Sequence, residues 1–373
     1  VYVSRLAGKY ATSAYVLAPF LLIVSYLLLT VVYPRAAIWF DRNPKQIKLS
    51  EDRRHLEVQN ENGNTLWSLE YWPLGGFLED GKWLLSSIDE DPFNEVILVF
   101  DVQAGDPRWL PAHIYAFDDD AGMMWNSPAV NVGEYIGDSS ATNPYKTYIS
   151  VCPHNENNLI LSRAVESSPS RTHISLFSND GRKIGWYINQ GTVGVKVFSN
   201  QIDNSRAIIM GHGFNNRTKT GVIFSLDPDN MYGVSPPYDF IDGYDLSWLR
   251  RGSQKHYVTL ERTELNKKIR KNPYNYVFQL ELYENMSFTA MTQEIDSIES
   301  GLLYSFDEFF RVQNVTSDDY FIETIRQFAE SGMTPFASRD SLSELQKNLV
   351  RYWTDSGWVS EQMLSLMFEQ KSR

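Results

Sequence analysis

The chain has a single cysteine, Cys152, in 373 residues. No internal disulfide can form, which excludes a disulfide scaffold, and one thiol cannot complete a cysteine-based zinc site. A buried, inert thiol is the reading that follows. The six histidines, His55, His113, His154, His173, His212 and His256, include no pair at metal-ligand spacing. Phosphate-cradling motifs are missing: the chain has neither a Walker loop nor G-x-G-x-x-G, and no G-x-S-x-G elbow presents a nucleophilic serine. Basic residues are also in short supply, with 34 Lys and Arg against 46 Asp and Glu and a formal charge of −12. That balance argues against nucleic acid as a partner.

Charge is missing locally as well. No charged residue occurs between Lys9 and Arg35, and Leu, Ile, Val, Phe and Ala dominate that interval. About 20 such residues in a helix cross a hydrocarbon core of roughly 30 Å. The pattern predicts a transmembrane helix over residues 10–35, after a short flank 1–9. Leu21, Leu22, Ile23, Tyr26 and Leu28 lie within it, Tyr15 towards one end, and Tyr33 and Trp39 at the other, where interfacial aromatics sit. The uncharged run exceeds the apolar region of a cleaved signal, and no A-x-A site follows. The expected partners are therefore the lipid bilayer and other membrane proteins. Arg35, Arg42, Lys45 and Lys48 after the span outnumber Arg5 and Lys9 before it. Large domains translocate with little regard to such counts, so the expected location of the main domain is periplasmic or extracytoplasmic. The start, Val1-Tyr2-Val3, suits a processed terminus or a longer protein with an effector domain upstream.

What the chain has in abundance is aromatics: 21 Tyr, 20 Phe and 10 Trp, 14 % of residues. These suit packed β-structure. After a linker at 36–45, short alternating runs are separated by turn residues. Hairpin turns are predicted at Asn62-Gly63, Gly105-Asp106, Asn179-Asp180-Gly181, Asp227-Pro228-Asp229, Glu284-Asn285 and Asp307-Glu308. Recurrent hairpins over 46–316 suggest radial repetition, a β-propeller-like domain of about five to seven blades. The tryptophans Trp67, Trp72, Trp83, Trp109, Trp125 and Trp186 then serve core packing before they serve a ligand site. A basic run at 266–272 reads as an exposed hairpin tip.

Three of the runs begin with a similar loop. Ser87-Ile88-Asp89-Glu90-Asp91-Pro92-Phe93-Asn94-Glu95 leads into Val96-Ile97-Leu98, His154-Asn155-Glu156-Asn157-Asn158 leads into Leu159-Ile160-Leu161, and Gln201-Ile202-Asp203-Asn204-Ser205-Arg206 leads into Ala207-Ile208-Ile209. Asp89, Asp91, Asn94 and Glu95 resemble the loop of the FG-GAP (VCBS-type) propeller repeat, D-x-D-G-D-G-x-x-E/D before an apolar strand. Ser87 stands in place of the leading carboxylate, and Pro92 in place of a turn glycine. The resemblance implies propeller blades and a possible Ca²⁺ at Asp89, Asp91 and Glu95, against the alternative of a solvated acidic turn that caps a strand. Otherwise no cofactor is expected. Asp118-Asp119-Asp120 is a second acidic run with the same two readings, and Gly211-His212-Gly213 places a histidine in a cleft or simply gives a corner its backbone freedom.

The C-terminal segment, 317–373, reads as helical. Ser317 can cap a helix over 318–331, with Gly332 just beyond, and Ser341 and Glu344 have capping-box spacing. A further β-turn-β element and a short helix are expected to end the chain. The function these features support is a non-enzymatic, membrane-anchored propeller that binds a ligand or protein, as a sensor or interaction scaffold. Alternatives are a structural accessory subunit of a larger membrane complex and, less favoured, a hydrolase or lyase with a central propeller pocket.

Overall fold

The structure is a computed structural model, and it describes residues 22–27, 30, 41–51, 55–70, 82–100, 112–130, 145–155, 157–166, 171–199, 207–237, 251–269, 274–295, 298–333, 338–355 and 357–371. The first sheet is a meander of β1 (Gln46–Leu49), β2 (His55–Gln59) and β3 (Thr65–Glu70). In the second, β4 (Trp83–Ser86), β5 (Glu95–Phe100), β6 (His113–Phe117) and β7 (Met123–Pro128) pair in chain order. The third repeats that plan with β8 (Tyr145–His154), β9 (Asn157–Glu166), β10 (Arg171–Phe177) and β11 (Lys183–Asn189). A fourth sheet contains β12 (Val193–Ser199), β13 (Ala207–Asn215), β14 (Thr220–Leu226) and β15 (His256–Leu260). After α1 (Glu264–Ile269), the fifth is built from β16 (Val277–Leu282), β17 (Phe288–Ile295), β18 (Ile298–Phe306) and β19 (Val312–Ser317). Then follow α2 (Asp319–Glu330), α3 (Arg339–Leu349), a hairpin of β20 (Arg351–Thr354) and β21 (Gly357–Ser360), and α4 (Glu361–Lys371).

Successive sheets pack face to face, and strand alternation explains how. Val96 and Leu98 of β5 join Leu56, Val58 and Phe117 in a core with the first sheet. Ile97 and Val99, one residue out of phase, join Ile160, Ala164 and Phe177 in a core with the third sheet. On β14 the same holds: Val222 and Phe224 pack with Ile174, Leu176 and Tyr187, whereas Ile223 packs with Val277 and Tyr304 of the fifth sheet. Sheets buried on both faces read as unbroken apolar runs, as in EVILVF and TGVIFSL, because side chains at odd and even positions must both leave water. Cys152 belongs to the core between the third and fourth sheets, fully buried, with its thiol pushed up to about 12 by that burial.

The expected closed propeller is not what the sheets form. Four cores join five sheets in chain order, and among the described residues none joins the fifth sheet to the first. The physical reason lies at the C-terminus. β20 pairs with β15 and extends the fourth sheet to six strands, while α2 and α3 pack Phe321, Ile325 and Leu342 into the core of the fifth. The end of the chain thereby adds to the fourth and fifth sheets.

The transmembrane expectation is corrected too. No helix among the described residues is long and apolar enough to cross a membrane. In this stretch the described residues are 22–27 and 30, which are helical. Leu22, Ile23 and Tyr26 are exposed there; Tyr15, Leu21, Leu28, Tyr33 and Trp39 lie outside the described residues. The single-pass anchor, and the location argued from it, are therefore not carried further.

Most of the expected turns are present among the described residues. Gly63 and Gly181 take φ of +75° and +78° in the turns before β3 and β11. Turns also stand at 283–287 and 307–311, closed by Tyr283 N–H to Ser287 O and Asp307 N–H to Arg311 O. The Gly105-Asp106 turn lies outside the described residues. At Asp227 the chain does not return as a hairpin. It forms a 3-10 turn over Pro228–Asn230, and Val234 then bridges Ile188 in parallel. The basic run expected at a hairpin tip is instead largely α1, whose Asn266 is fully buried. Asp318, not Ser317, caps α2 by accepting from Phe321 N–H, and Ser338 rather than Ser341 caps α3.

Buried polar groups brace the third sheet and tie it to the fourth. Arg171 donates to both oxygens of Glu166, at 2.6 and 2.8 Å, with both side chains almost fully buried. Thr172 Oγ1 donates to Gly191 O at 2.9 Å, Tyr257 donates to Asn189 Oδ1 at 3.1 Å, and Asn215 Nδ2 donates to the Tyr257 hydroxyl at 2.9 Å. Removing one member of a buried ion pair strands the other's charge. We expect Arg171→Met to cost about 3–5 kcal/mol by urea unfolding, and Arg171→Met with Glu166→Leu to recover most of it. A loss below about 1 kcal/mol for the single variant would refute this assignment.

Candidate metal centre

The loop between β4 and β5 curls around its own carboxylates. Asp91 N–H donates to Asp89 Oδ1, and Phe93 N–H to Asp91 Oδ1, each at 2.8 Å. Such Asx turns come from the short side chain of Asp competing for local amides. Glu95 opens β5 opposite Ser86 and is fully buried. Its Oε2 accepts from Ile88 N–H, and among the described residues its Oε1 has no hydrogen-bond donor. Asn158 on β9 donates to Ser87 O at 2.8 Å, so the third sheet fixes the loop from behind.

Asp118-Asp119-Asp120 turns between β6 and β7, with Asp118 N–H on Gly122 O and Asp119 N–H on Asp118 Oδ1. Asp119 is buried, whereas Asp120 faces solvent. Because Val96 pairs with Phe117, the residue before Val96 and the residue after Phe117 meet at the same end of the sheet. The two acidic runs therefore converge. Carboxylate oxygens of Asp89, Asp91 and Glu95 lie within 4.8 Å of one another, and so do those of Asp91, Asp118 and Asp119. Asp91 belongs to both groups.

Against these five carboxylates stands Arg42. Its Nε is 2.8 Å from Asp119 Oδ2, and its guanidinium lies 4.3 Å from the centre of the Phe93 ring. The segment that carries it is fastened in place: Asn94 N–H donates to Asn43 Oδ1, Asn94 Nδ2 to Pro44 O, and Asn60 Nδ2 to Asp41 O, each at 2.8 Å. Burial pushes the Glu95 carboxyl up to about 7, and neighbouring Asp89 and Asp91 add to the rise. Asp119 is raised to about 6, first by burial and then by Asp118, despite Arg42.

The donor set is oxygen only, which suits a hard cation and not zinc. Two oxygens on opposite sides of Ca²⁺ at about 2.4 Å stand about 4.8 Å apart, and within each group no pair of ligand atoms exceeds that separation. Asp89, Asp91 and Glu95, expected from sequence as one site, are brought together. Asp118 and Asp119 join them, and Arg42, which counted in the sequence only towards membrane orientation, is the local counter-charge.

The other candidates have structural partners. His212 is buried and sits 3.1 Å from Val277 O by Nδ1; at Gly211 a Cβ would fall 2.1 Å from the Phe224 ring, so close strand packing accounts for that glycine. His154 Nε2 lies 2.8 Å from Asp229 Oδ1. Trp125 donates to Asn179 O at 2.6 Å, and Trp67 and Trp83 pack at the first core. Trp72 and Trp109 lie outside the described residues.

No family model matches the sequence, so the FG-GAP likeness has no support from that comparison, and no curated protein matches it. Among solved structures the chain is similar to a protein of unknown function from Bacteroides caccae, at 10 % identity and a TM-score of 0.26, over 74 % of this chain and 93 % of that one. A eukaryotic initiation factor aligns at 9 % identity and a TM-score of 0.31, over 73 % of this chain and 62 % of that one. The V. cholerae biofilm matrix protein Bap1 aligns at 12 % identity and a TM-score of 0.23, over 75 % of this chain and 47 % of its own. Likenesses this distant carry no argument about function.

The raised carboxyl of Glu95 makes a pH test. Its folded pKa lies above the ordinary 4.5, so its contribution to stability is full below about pH 4.5 and lost as pH rises through about 7. In chelator, Glu95→Gln keeps an acceptor for Ile88 N–H and removes the charge. We expect it to raise the melting midpoint at pH 8 by roughly 2–5 °C and to flatten the decline between pH 5 and 8. A variant less stable than the parent at pH 8 would overturn the assignment.

Proposed function

We propose that this chain is a non-enzymatic binding domain, a sensor or interaction scaffold, that holds a divalent cation of the Ca²⁺ type in the acidic cluster around Asp91, which groups with Asp89 and Glu95 on one side and with Asp118 and Asp119 on the other. The observation that carries the reading is Glu95: a fully buried carboxylate with one oxygen lacking a donor among the described residues, inside a cluster of like charge. A bare carboxylate there is costly, and a cation removes the cost. The site joins the turns of the second sheet to the segment 41–45, so an ion would stiffen the surface that those turns present.

The alternative of a structural subunit in a larger assembly has one feature in its favour. Tyr320 on α2 and Leu345 on α3 are about half exposed, as is Met333 beyond α2. Exposed apolar residues of this kind occur at protein contacts.

Calorimetric titration of the chelator-treated chain with CaCl2 tests the first reading. One ion per chain is expected, with weaker binding of MgCl2, whose octahedral demand fits a rigid carboxylate cage poorly. Asp91→Asn, shared by both groups, should weaken Ca²⁺ binding at least tenfold, while Asp120→Asn should leave it unchanged. No heat and no shift in melting midpoint at millimolar CaCl2 would rule the reading out.

A further inference from the structure

At the far end of the row of sheets is a second site, independent of the acidic one. A cavity of about 300 Å³ opens between β15, the turn joining β18 to β19, the β20–β21 hairpin and α4. That volume is at the small end of sites that hold organic ligands. Its walls combine apolar and polar groups; Trp353, Phe309 and Leu364 of α4 supply the apolar part. His256 stacks on Phe310, with ring centres 4.5 Å apart and planes 7° from parallel. Its burial, together with Lys255, lowers its pKa to about 4, so it is a neutral plate at pH 7.

Among the described residues that line the cavity, Arg251 and Lys255 stand against one carboxylate, the fully exposed Asp355, while Asp307 and Glu361 lie behind the wall beside His256 and Tyr352. Arg251 is held in position: Nη2 donates to Thr354 O at 2.8 Å, and its guanidinium lies 5.6 Å from the centre of the Trp353 ring. Its 3.4 Å pair with Asp355 is in water, where such pairs are weak. Lys255, His256 and Phe310 also line an adjoining cavity of about 170 Å³, together with Asp227 and Glu308. In a chain of formal charge −12, two cations over an aromatic slot stand out.

We propose that this cavity binds a small organic anion, its planar apolar body lodged against Trp353, Phe309 and Leu364 and its carboxylate facing Arg251 and Lys255. Stacking and apolar contact supply most of the affinity, and the two cations supply the preference for an acid over a neutral molecule of the same shape.

Calorimetry with 2-naphthoate and its neutral counterpart 2-naphthalenemethanol, on the full chain in chelator so that the acidic site plays no part, tests this. Saturable binding of one naphthoate per chain is expected, at least tenfold tighter than the alcohol. Lys255→Glu should abolish that preference, bringing naphthoate down to the alcohol's affinity. Phe309→Ser, at a half-exposed turn position that does not threaten folding, should weaken both compounds. Equal affinity for acid and alcohol in the parent, or binding indifferent to both variants, would overturn the proposal. So would a dimer in sedimentation that Phe309→Ser dissociates, because a second copy would then cover the cavity.

Discussion

Burial of inner sheets on both faces is the constraint from which the rest of this structure follows. A sheet flanked by two others cannot offer one face to water, so its strands carry apolar residues at consecutive positions. β5 divides Val96 and Leu98 from Ile97 and Val99, and β14 divides Val222 and Phe224 from Ile223. Each such side chain contributes about 1.5–3 kcal/mol on leaving water. A register slip of one residue would exchange the two faces and mismatch both neighbouring cores at once.

The same constraint creates the acidic site. A strand between two cores must begin somewhere, and β5 begins on Glu95, which the cores keep from solvent. Its pairing with β6 then brings Asp118 and Asp119 alongside. Burial and like charge act in the same direction on these carboxyls, with Arg42 as the local counter-charge. At the other end, the pairing of β20 with β15 brings Trp353 and α4 over Lys255 and His256 and makes the aromatic cavity. One site follows from a strand's beginning, the other from the last hairpin's choice of partner.

Much of the local structure was legible in the sequence. Asn62-Gly63 and Asn179-Asp180-Gly181 specify their turns because glycine takes positive φ without strain. The three similar loops all lead into the second strand of a sheet, at β5, β9 and β13. Other assignments failed for identifiable reasons. Residues 266–272 read as a charged tip, yet Asn266 is buried with its amide near the Gln293 and Glu294 carbonyls, a contact made across the fold. Ser317 and Ser341 look like good caps, but capping depends on which residue has extended backbone as the helix begins, and Asp318 and Ser338 have it.

By itself, the sequence determined the β class, most of the turns, the helical C-terminal segment and Asp89, Asp91 and Glu95 as one acidic group. The first three rest on alternation, turn chemistry and capping patterns within a few residues, and the acidic group on the resemblance of its loop to the FG-GAP repeat. Only the tertiary structure decided that the sheets form an open row, that Asp118 and Asp119 complete the acidic group, and that Arg42 faces it. Those outcomes depend on contacts between segments far apart in the chain: β20 against β15, β5 against β6, and residues 41–45 against the loop before β5. Local pattern states which side chains must leave water, and long-range packing decides against which partners they do so.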